Sequence, residues 1–168
     1  DRTIIYPRVL KFLDKIATRD IVSNGILSQS GVKTTQSFDC LPRFLARYGE
    51  ENSHVPNGNI LVTGGAKFDG NRYEVMVDFI SHFLKKNVQV TFLSGAQFSP
   101  AAEDISLQKK LQENPRLSNL NVVQAQSMRQ WIDEFKSASF LFSARFHHSI
   151  SALSIGTPFR YFSSNTPK

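Results

Sequence analysis

From residue 59 onward, five short apolar runs alternate with four longer amphipathic stretches, and few architectures satisfy that pattern. The runs are Ile60–Thr63, Val88–Leu93, Asn121–Val123, Ala138–Phe142 and Pro158–Phe162. Each is strand-sized and largely uninterrupted, as expected of strands covered on both faces. Between the first two, Asn71-x-x-Glu74 opens a stretch in which Met76, Phe79, Ile80, Phe83 and Leu84 recur at helical spacing. Ser99-Pro100 opens the next, carrying Ile105, Leu107 and Leu111. Ser127-x-x-Gln130 opens a third with Met128, Trp131, Ile132 and Phe135, and Phe146, Ile150 and Leu153 line a fourth that ends at Gly156. Every strand-to-strand step has the length of a right-handed parallel crossover. The expected fold is α/β, a Rossmann-like open parallel sheet with helices on both faces, over residues 59–168.

Residues 1–58 read differently. Val9, Leu10, Phe12, Leu13 and Ile16 place a helix over Tyr6–Ile16, and Ile21, Val22, Ile26 and Leu27 suggest a second, with Asp20 as N-cap and Gly31 as stop. Thr34–Pro42 is expected to be extended, and the polar, turn-rich Glu50–Asn59 is the linker candidate. Asp1 stands where a natural chain opens on methionine, and Lys168 directly follows a strand and its loop, so the chain is expected to be a piece of a longer one. On that reading 1–58 is an inter-domain segment with a remnant of a preceding domain.

Composition removes several function classes. No apolar run approaches the ~20 residues that span a bilayer. The one cysteine, Cys40, excludes an intrachain disulfide and a cysteine-rich zinc site; beside Phe38 and Leu41 it reads as a small apolar filler. There is no G-x-G-x-x-G and no Walker lysine motif. The 14 phenylalanines follow the core periodicity, so they do not form a base-stacking platform, and no nucleic-acid partner is expected. His54 and His82, each isolated among polar neighbours, read as solvated. The net charge of +6 suits anionic ligands or, equally simply, a solvated basic surface.

Ligands of open parallel sheets bind outside the carboxyl ends of the strands. Those ends read Gly64-Gly65-Ala66-Lys67, Ser94-Gly95-Ala96-Gln97, Gln124-Ala125-Gln126-Ser127, Ser143 to His148, and Ser163 to Lys168. They hold Lys67, Arg145, Lys168 and two histidines, and no carboxylate, so the rim is expected to suit a phosphate or carboxylate. Arg145-Phe146-His147 is the sharpest feature, because a strand ends and a helix begins there, and a helix N-terminus favours an anion. Arg145 adds a bidentate donor fork. With Phe146 assigned to the sheet-facing series, His147 and Ser151 are expected to face the rim, where an imidazole is placed to donate a proton. An equally simple alternative makes Arg145 a cap and His147 a surface residue. His148 reads as structural.

Several segments together resemble the polysaccharide pyruvyl transferase family. Thr18-Arg19-Asp20-Ile21-Val22-Ser23, followed by Leu27, Gly31-Val32 and Phe38-Asp39, is similar to the passage between that family's two halves. Ser143-Ala144-Arg145-Phe146-His147, through Ile150, Ala152-Leu153, Gly156 and Pro158, resembles its arginine–histidine signature, and Ser164-Asn165-Thr166-Pro167-Lys168 resembles the end of that block. The resemblance implies one half of a GT-B-like fold and transfer of the pyruvyl group of phosphoenolpyruvate to two sugar hydroxyls, forming a ketal. It implies Arg145 and His147 as catalytic residues, with Arg145 on the donor's anionic groups and His147 as general acid. Lys67, Gly64, Gly65, Ser164, Asn165 and Lys168 join them as substrate-binding residues. It implies a small anionic donor and a glycan acceptor as partners, no cofactor and no metal. The setting it implies is bacterial exopolysaccharide or surface polysaccharide synthesis in the cytoplasm, with peripheral association at the inner membrane left open. Where the family carries an arginine after the first strand, this chain has Lys67, a point charge rather than a fork. The competing readings are a GT-B glycosyltransferase using a nucleotide sugar, disfavoured because no Asp or Glu occurs between Ala138 and Lys168, and a non-catalytic anion-binding domain.

Overall fold

In a computed structural model, residues 9–49, 55–65, 70–94 and 103–162 are described. The chain divides into two compact units, residues 1–40 and 41–168. The first holds two short parallel strands, β1 (Ala17–Thr18) and β2 (Thr35–Gln36), and helix α1 (Ile21–Gln29) between them. Asp20 caps α1 as its spacing predicts, with Oδ1 accepting the Ser23 N–H at 2.8 Å, and Gly31 turns the chain at φ +70°. Arg19 reaches Asp39 at 3.2 Å, so the Arg-Asp passage here ties the second strand to the first. Of the helix expected over Tyr6–Ile16, Val9 and Leu10 are helical and the chain leaves the helix at Lys11, while 6–8 lie outside the described residues. Phe12 and Leu13 make only three-residue turns back to Val9 and Leu10, and both side chains are exposed. Cys40 is exposed as well, which overturns its reading as a buried filler.

The second unit begins with α2 (Leu41–Gly49), a helix whose first two residues fall in the segment expected to be extended and whose other residues the sequence pattern does not assign. Leu41 and Leu45 share a face, Pro42 occupies its first turn, and Leu45 is buried as α2 packs along the last helix of the chain. That packing groups α2 with the second unit. The sheet then follows as β3 (Ile60–Thr63), α3 (Gly70–Leu84), β4 (Val90–Ser94), α4 (Glu103–Gln112), β5 (Asn121–Gln124), α5 (Met128–Ser137), β6 (Phe140–Ser143), α6 (Phe146–Ile155) and β7 (Phe159–Tyr161). All pairings are parallel, and the strand order is β5-β4-β3-β6-β7. The α3 helix opens at Gly70 rather than at the expected Asn71 box, and Ser99-Pro100 lies outside the described residues. At α5 the hydroxyl of Ser127 accepts the Gln130 N–H at 3.1 Å, the cap the spacing predicts.

The period-two alternation of β3, β4 and β6 sorts their side chains to opposite faces. Ile60, Val62, Val90, Phe92 and Phe142 meet Met76, Val77 and Ile80 of α3 and Leu107 and Leu111 of α4. Leu61, Leu93 and Leu141 meet Phe135 of α5 and Ala152 of α6. Phe79 stacks on Phe142 with ring centroids 4.0 Å apart, and Phe142 on Phe162 at 4.5 Å. Phe92, Phe135 and Phe142 are buried, each such side chain contributing about 2 kcal/mol through removal of apolar surface from water, whereas Phe12, Phe38 and Phe146 are exposed and depart from the core periodicity the sequence suggested. The result is the open sheet covered on both faces that the alternation predicted.

Candidate functional site

The winding of the sheet reverses between β3 and β6, its central neighbours. The crevice at the carboxyl ends of those two strands is the topological switch point, where open α/β sheets receive ligands. Thr63, Gly64 and Gly65 form one side of it, and Ser143, Ala144 and Arg145 the other.

The hydroxyls that end the two strands lock this junction. Thr63 Oγ1 donates to Ser143 Oγ at 2.7 Å, and Ser143 Oγ accepts the Arg145 backbone N–H at 3.0 Å. Both residues are fully buried. Arg145 therefore begins α6 in a fixed place, as an extended N-cap residue (φ −104°, ψ 128°) whose side chain makes no capping bond. Its carbonyl oxygen accepts from both the backbone N–H and the hydroxyl of Ser149, at 3.0 and 3.1 Å. The side chain turns instead to Asp104, with Nη2 2.5 Å from Oδ1.

Asp104 corrects the expectation of a rim without carboxylates. It lies outside the strand-end stretches in sequence, yet it is the second residue of α4, and that helix delivers it over the end of β3. It is wholly buried, while the Arg145 side chain keeps 26% of its surface exposed. Gly64 is what lets α4 come so close, since a β-carbon there would lie 2.7 Å from Asp104 Oδ1 and 2.9 Å from Leu107 Cδ2. The glycine that the sequence offered as ligand-facing thus has a packing partner of its own.

The buried face of α6 also differs from expectation. Phe146 is 43% and Leu153 70% exposed, whereas His148, Ser149, Ser151 and Ala152 are buried. Hydrophobicity alone mispredicted the rotation because short serine side chains satisfy themselves on the helix: Ser151 Oγ donates to the His147 carbonyl at 2.7 Å and so can be buried without a distant partner. Ser151 consequently does not face the rim. His147 is exposed on the first turn, its ring edge-on to Phe146 at 5.5 Å. His148 is structural, as its position suggested. It packs against Trp131 and Phe135, and burial first, then the charges of Arg145 and His147, push its imidazole down to about 3.

Of the sequence-predicted residues, the structure brings Arg145, Gly64 and Gly65 to the crevice and leaves His147 accessible beside it. Lys67, Ser164, Asn165 and Lys168 lie outside the described residues. Among the described residues no group of histidines, cysteines and carboxylates is arranged to hold a metal ion, and no helix is long and apolar enough to cross a membrane. Chemically, the arrangement offers an anion two aids at one point. One is the amino end of α6, with its helix dipole, and the other is a guanidinium held in place beside it. Nothing in the sequence singles out Asp104, because an acidic residue in the first turn of a helix is ordinary. The Thr63–Ser143 pair was visible only as two strands each ending on a hydroxyl.

Two solved structures share the architecture. One is the E. coli heptosyltransferase WaaC with ADP-2-deoxy-2-fluoro heptose, at TM-score 0.53 and 16% identity over 86% of this chain and 45% of that one. The other is the Methanocaldococcus jannaschii UDP-GlcNAc 2-epimerase in complex with UDP-GlcNAc and UDP, at TM-score 0.55 and 10% identity over 86% and 44%. The chain spans less than half the length of either, and at such identities the likeness carries the fold alone, that of one half of a GT-B-like protein. Comparison with curated protein sequences gives no significant match. The family model for polysaccharide pyruvyl transferase matches residues 6–166, through the Arg-Asp passage and the whole of the sheet with its Arg-Phe-His turn. With that match over nearly its full length, the chain belongs to the polysaccharide pyruvyl transferase family.

Proposed function

We propose that the protein of which this chain forms part transfers the pyruvyl group of phosphoenolpyruvate to two hydroxyls of a sugar, forming a ketal and releasing phosphate. The observation that carries the reading is the placement of Arg145. A chain of the pyruvyl transferase family sets this guanidinium at the switch point of its sheet, on the amino end of α6. Arg145 binds the donor's carboxylate or phosphate, and His147, accessible one residue into the helix, serves as general acid. Protonation of the methylene carbon leaves positive charge on the adjacent carbon, which one sugar hydroxyl attacks. Loss of phosphate and attack by the second hydroxyl close the ketal. Lys67, Lys168, Ser164, Asn165 and the Gly64–Gly65 turn complete the donor site, and the glycan acceptor belongs to surface or exopolysaccharide synthesis on the cytoplasmic side of a bacterial membrane.

A nucleotide-sugar transferase is the second reading, favoured by the nucleotide sugars named with both structural neighbours and opposed by the absence of any carboxylate between Ala138 and Lys168. Calorimetric titration separates the two. Phosphoenolpyruvate is expected to bind where UDP- and GDP-sugars do not, and Arg145→Lys and His147→Ala are expected to weaken that binding or abolish turnover in the full-length protein. Binding of a nucleotide sugar with none of phosphoenolpyruvate overturns the proposal, as does wild-type activity in both variants.

A further inference from the structure

We infer that Asp104 is a positioning residue that holds the Arg145 guanidinium in the orientation in which it receives the donor's anion. The inference rests on the reading of Arg145 given above and adds to it a residue that comes from 41 positions away in the sequence.

Three observations carry it. Asp104 has no exposed surface, and its carboxylate oxygen lies 2.5 Å from Arg145 Nη2. A carboxylate removed from water in this way is tolerated only when it is paired, so a ligand that drew Arg145 away would cost the buried charge its cationic partner at 2.5 Å. The guanidinium must therefore remain on Asp104 while the anion uses the N–H groups pointing elsewhere, and five N–H donors on one planar fork allow both at once. Next, the position is prepared at the backbone: Gly64 leaves the space that Asp104 Oδ1 occupies, which any β-carbon would invade. Last, the opposite end of the same side chain is fixed, because the Arg145 backbone N–H is held by Ser143 at 3.0 Å. With both ends held, a side chain that would otherwise sample many rotamers is ordered before the ligand arrives, and the binding step is spared that ordering. Arg145 Nε is buried without a hydrogen-bond partner, a donor that an approaching oxygen would satisfy.

The sign of one measurement tests this. Asp104→Asn keeps shape and an acceptor oxygen but removes a negative charge next to the guanidinium. By Coulomb's law alone that change tightens the binding of any anion, whereas loss of the clamp weakens it. Calorimetric titration of the whole chain with phosphoenolpyruvate, and separately with inorganic phosphate, is expected to show weakening by about tenfold for phosphoenolpyruvate, the size of coupling typical of residues in direct contact. Unchanged or tighter binding overturns the inference, and a merely structural Asp104 gives that result with a lowered melting temperature. Arg145→Lys is measured alongside. If it too leaves phosphoenolpyruvate binding unchanged, the assignment of Arg145 falls, and this inference with it. If Arg145→Lys weakens binding and Asp104→Asn does not, only the role of Asp104 falls. Should Asp104→Asn fail to fold, Asp104→Glu retains the charge and displaces the carboxylate by one methylene. It is expected to weaken binding in the same sense, and unchanged affinity overturns the inference.

Discussion

Thr63 and Ser143, 80 residues apart, share a 2.7 Å hydrogen bond that joins the ends of β3 and β6. The bond does more than pair two buried hydroxyls. Ser143 Oγ is also the acceptor for the backbone N–H of Arg145, so the end of one strand fixes the start of the helix that follows the other. Ser143→Ala leaves both the Thr63 hydroxyl and the Arg145 N–H without a partner in a buried place, at a cost of about 2 kcal/mol. Thr63→Val removes only one donor and leaves the Ser143–Arg145 bond intact, at a cost of about 1 kcal/mol. Urea unfolding of the two variants and of the double variant is expected to show Ser143→Ala as the more damaging, with the double variant losing less than the two single losses combined. Equal losses that simply add would show that the two hydroxyls do not act together.

Gly64→Ala tests how tightly α4 is pressed on the rim. Its new methyl would sit 2.7 Å from Asp104 Oδ1 and 2.9 Å from Leu107 Cδ2, closer than real contacts allow, so the helix must shift or the Asp104–Arg145 pair must open. Overpacking of this kind costs about 1–3 kcal/mol. The expected result is a lowered urea midpoint with an unchanged slope, and a melting temperature equal to that of the unmodified chain would show that α4 yields freely.

How much of this was legible in the sequence follows from what kind of information each feature needs. The open parallel sheet was legible because β3, β4 and β6 are buried on both sides and have to be continuously apolar, which leaves a mark in one dimension. Asp20 and Gly31 were legible because caps act within three or four residues. The family resemblance was legible for the same reason, resting on local runs such as Arg145-Phe146-His147. Asp104 was not, since its meaning lies in a partner that only the fold brings near. The rotation of α6 was misread because Phe146 and Leu153 look like core residues while Ser149 and Ser151 do not. Serines that bond back to their own helix can be buried cheaply, and no hydrophobic pattern records that. Helix α2 was missed because a nine-residue helix with Leu41, Phe44 and Leu45 as its apolar signal is too short to show a repeating period.

His148 makes stability depend on pH. Its imidazole is enclosed by Trp131 and Phe135, 5.5 and 5.6 Å away between ring centres. Enclosure, and secondarily the charges of Arg145 and His147, lower its titration from 6.5 to about 3 in the folded chain. Above pH 6.5 both folded and unfolded chains carry it neutral, and it contributes no slope. Between about 6.5 and 3 the unfolded chain binds a proton that the folded chain refuses, so the folded state loses stability as pH falls through that window. At 1.36 kcal/mol per unit, the loss between pH 6.5 and pH 4 is about 3 kcal/mol. Urea midpoints measured from pH 7.5 to pH 4 are expected to fall accordingly. In His148→Met, which keeps the volume without the titrating nitrogen, the His148 share of that fall is expected to vanish, leaving only the carboxylates' contribution near the acid end. An identical pH profile in the two proteins would mean that the buried imidazole accepts its proton in place, with water entering to accept the new N–H.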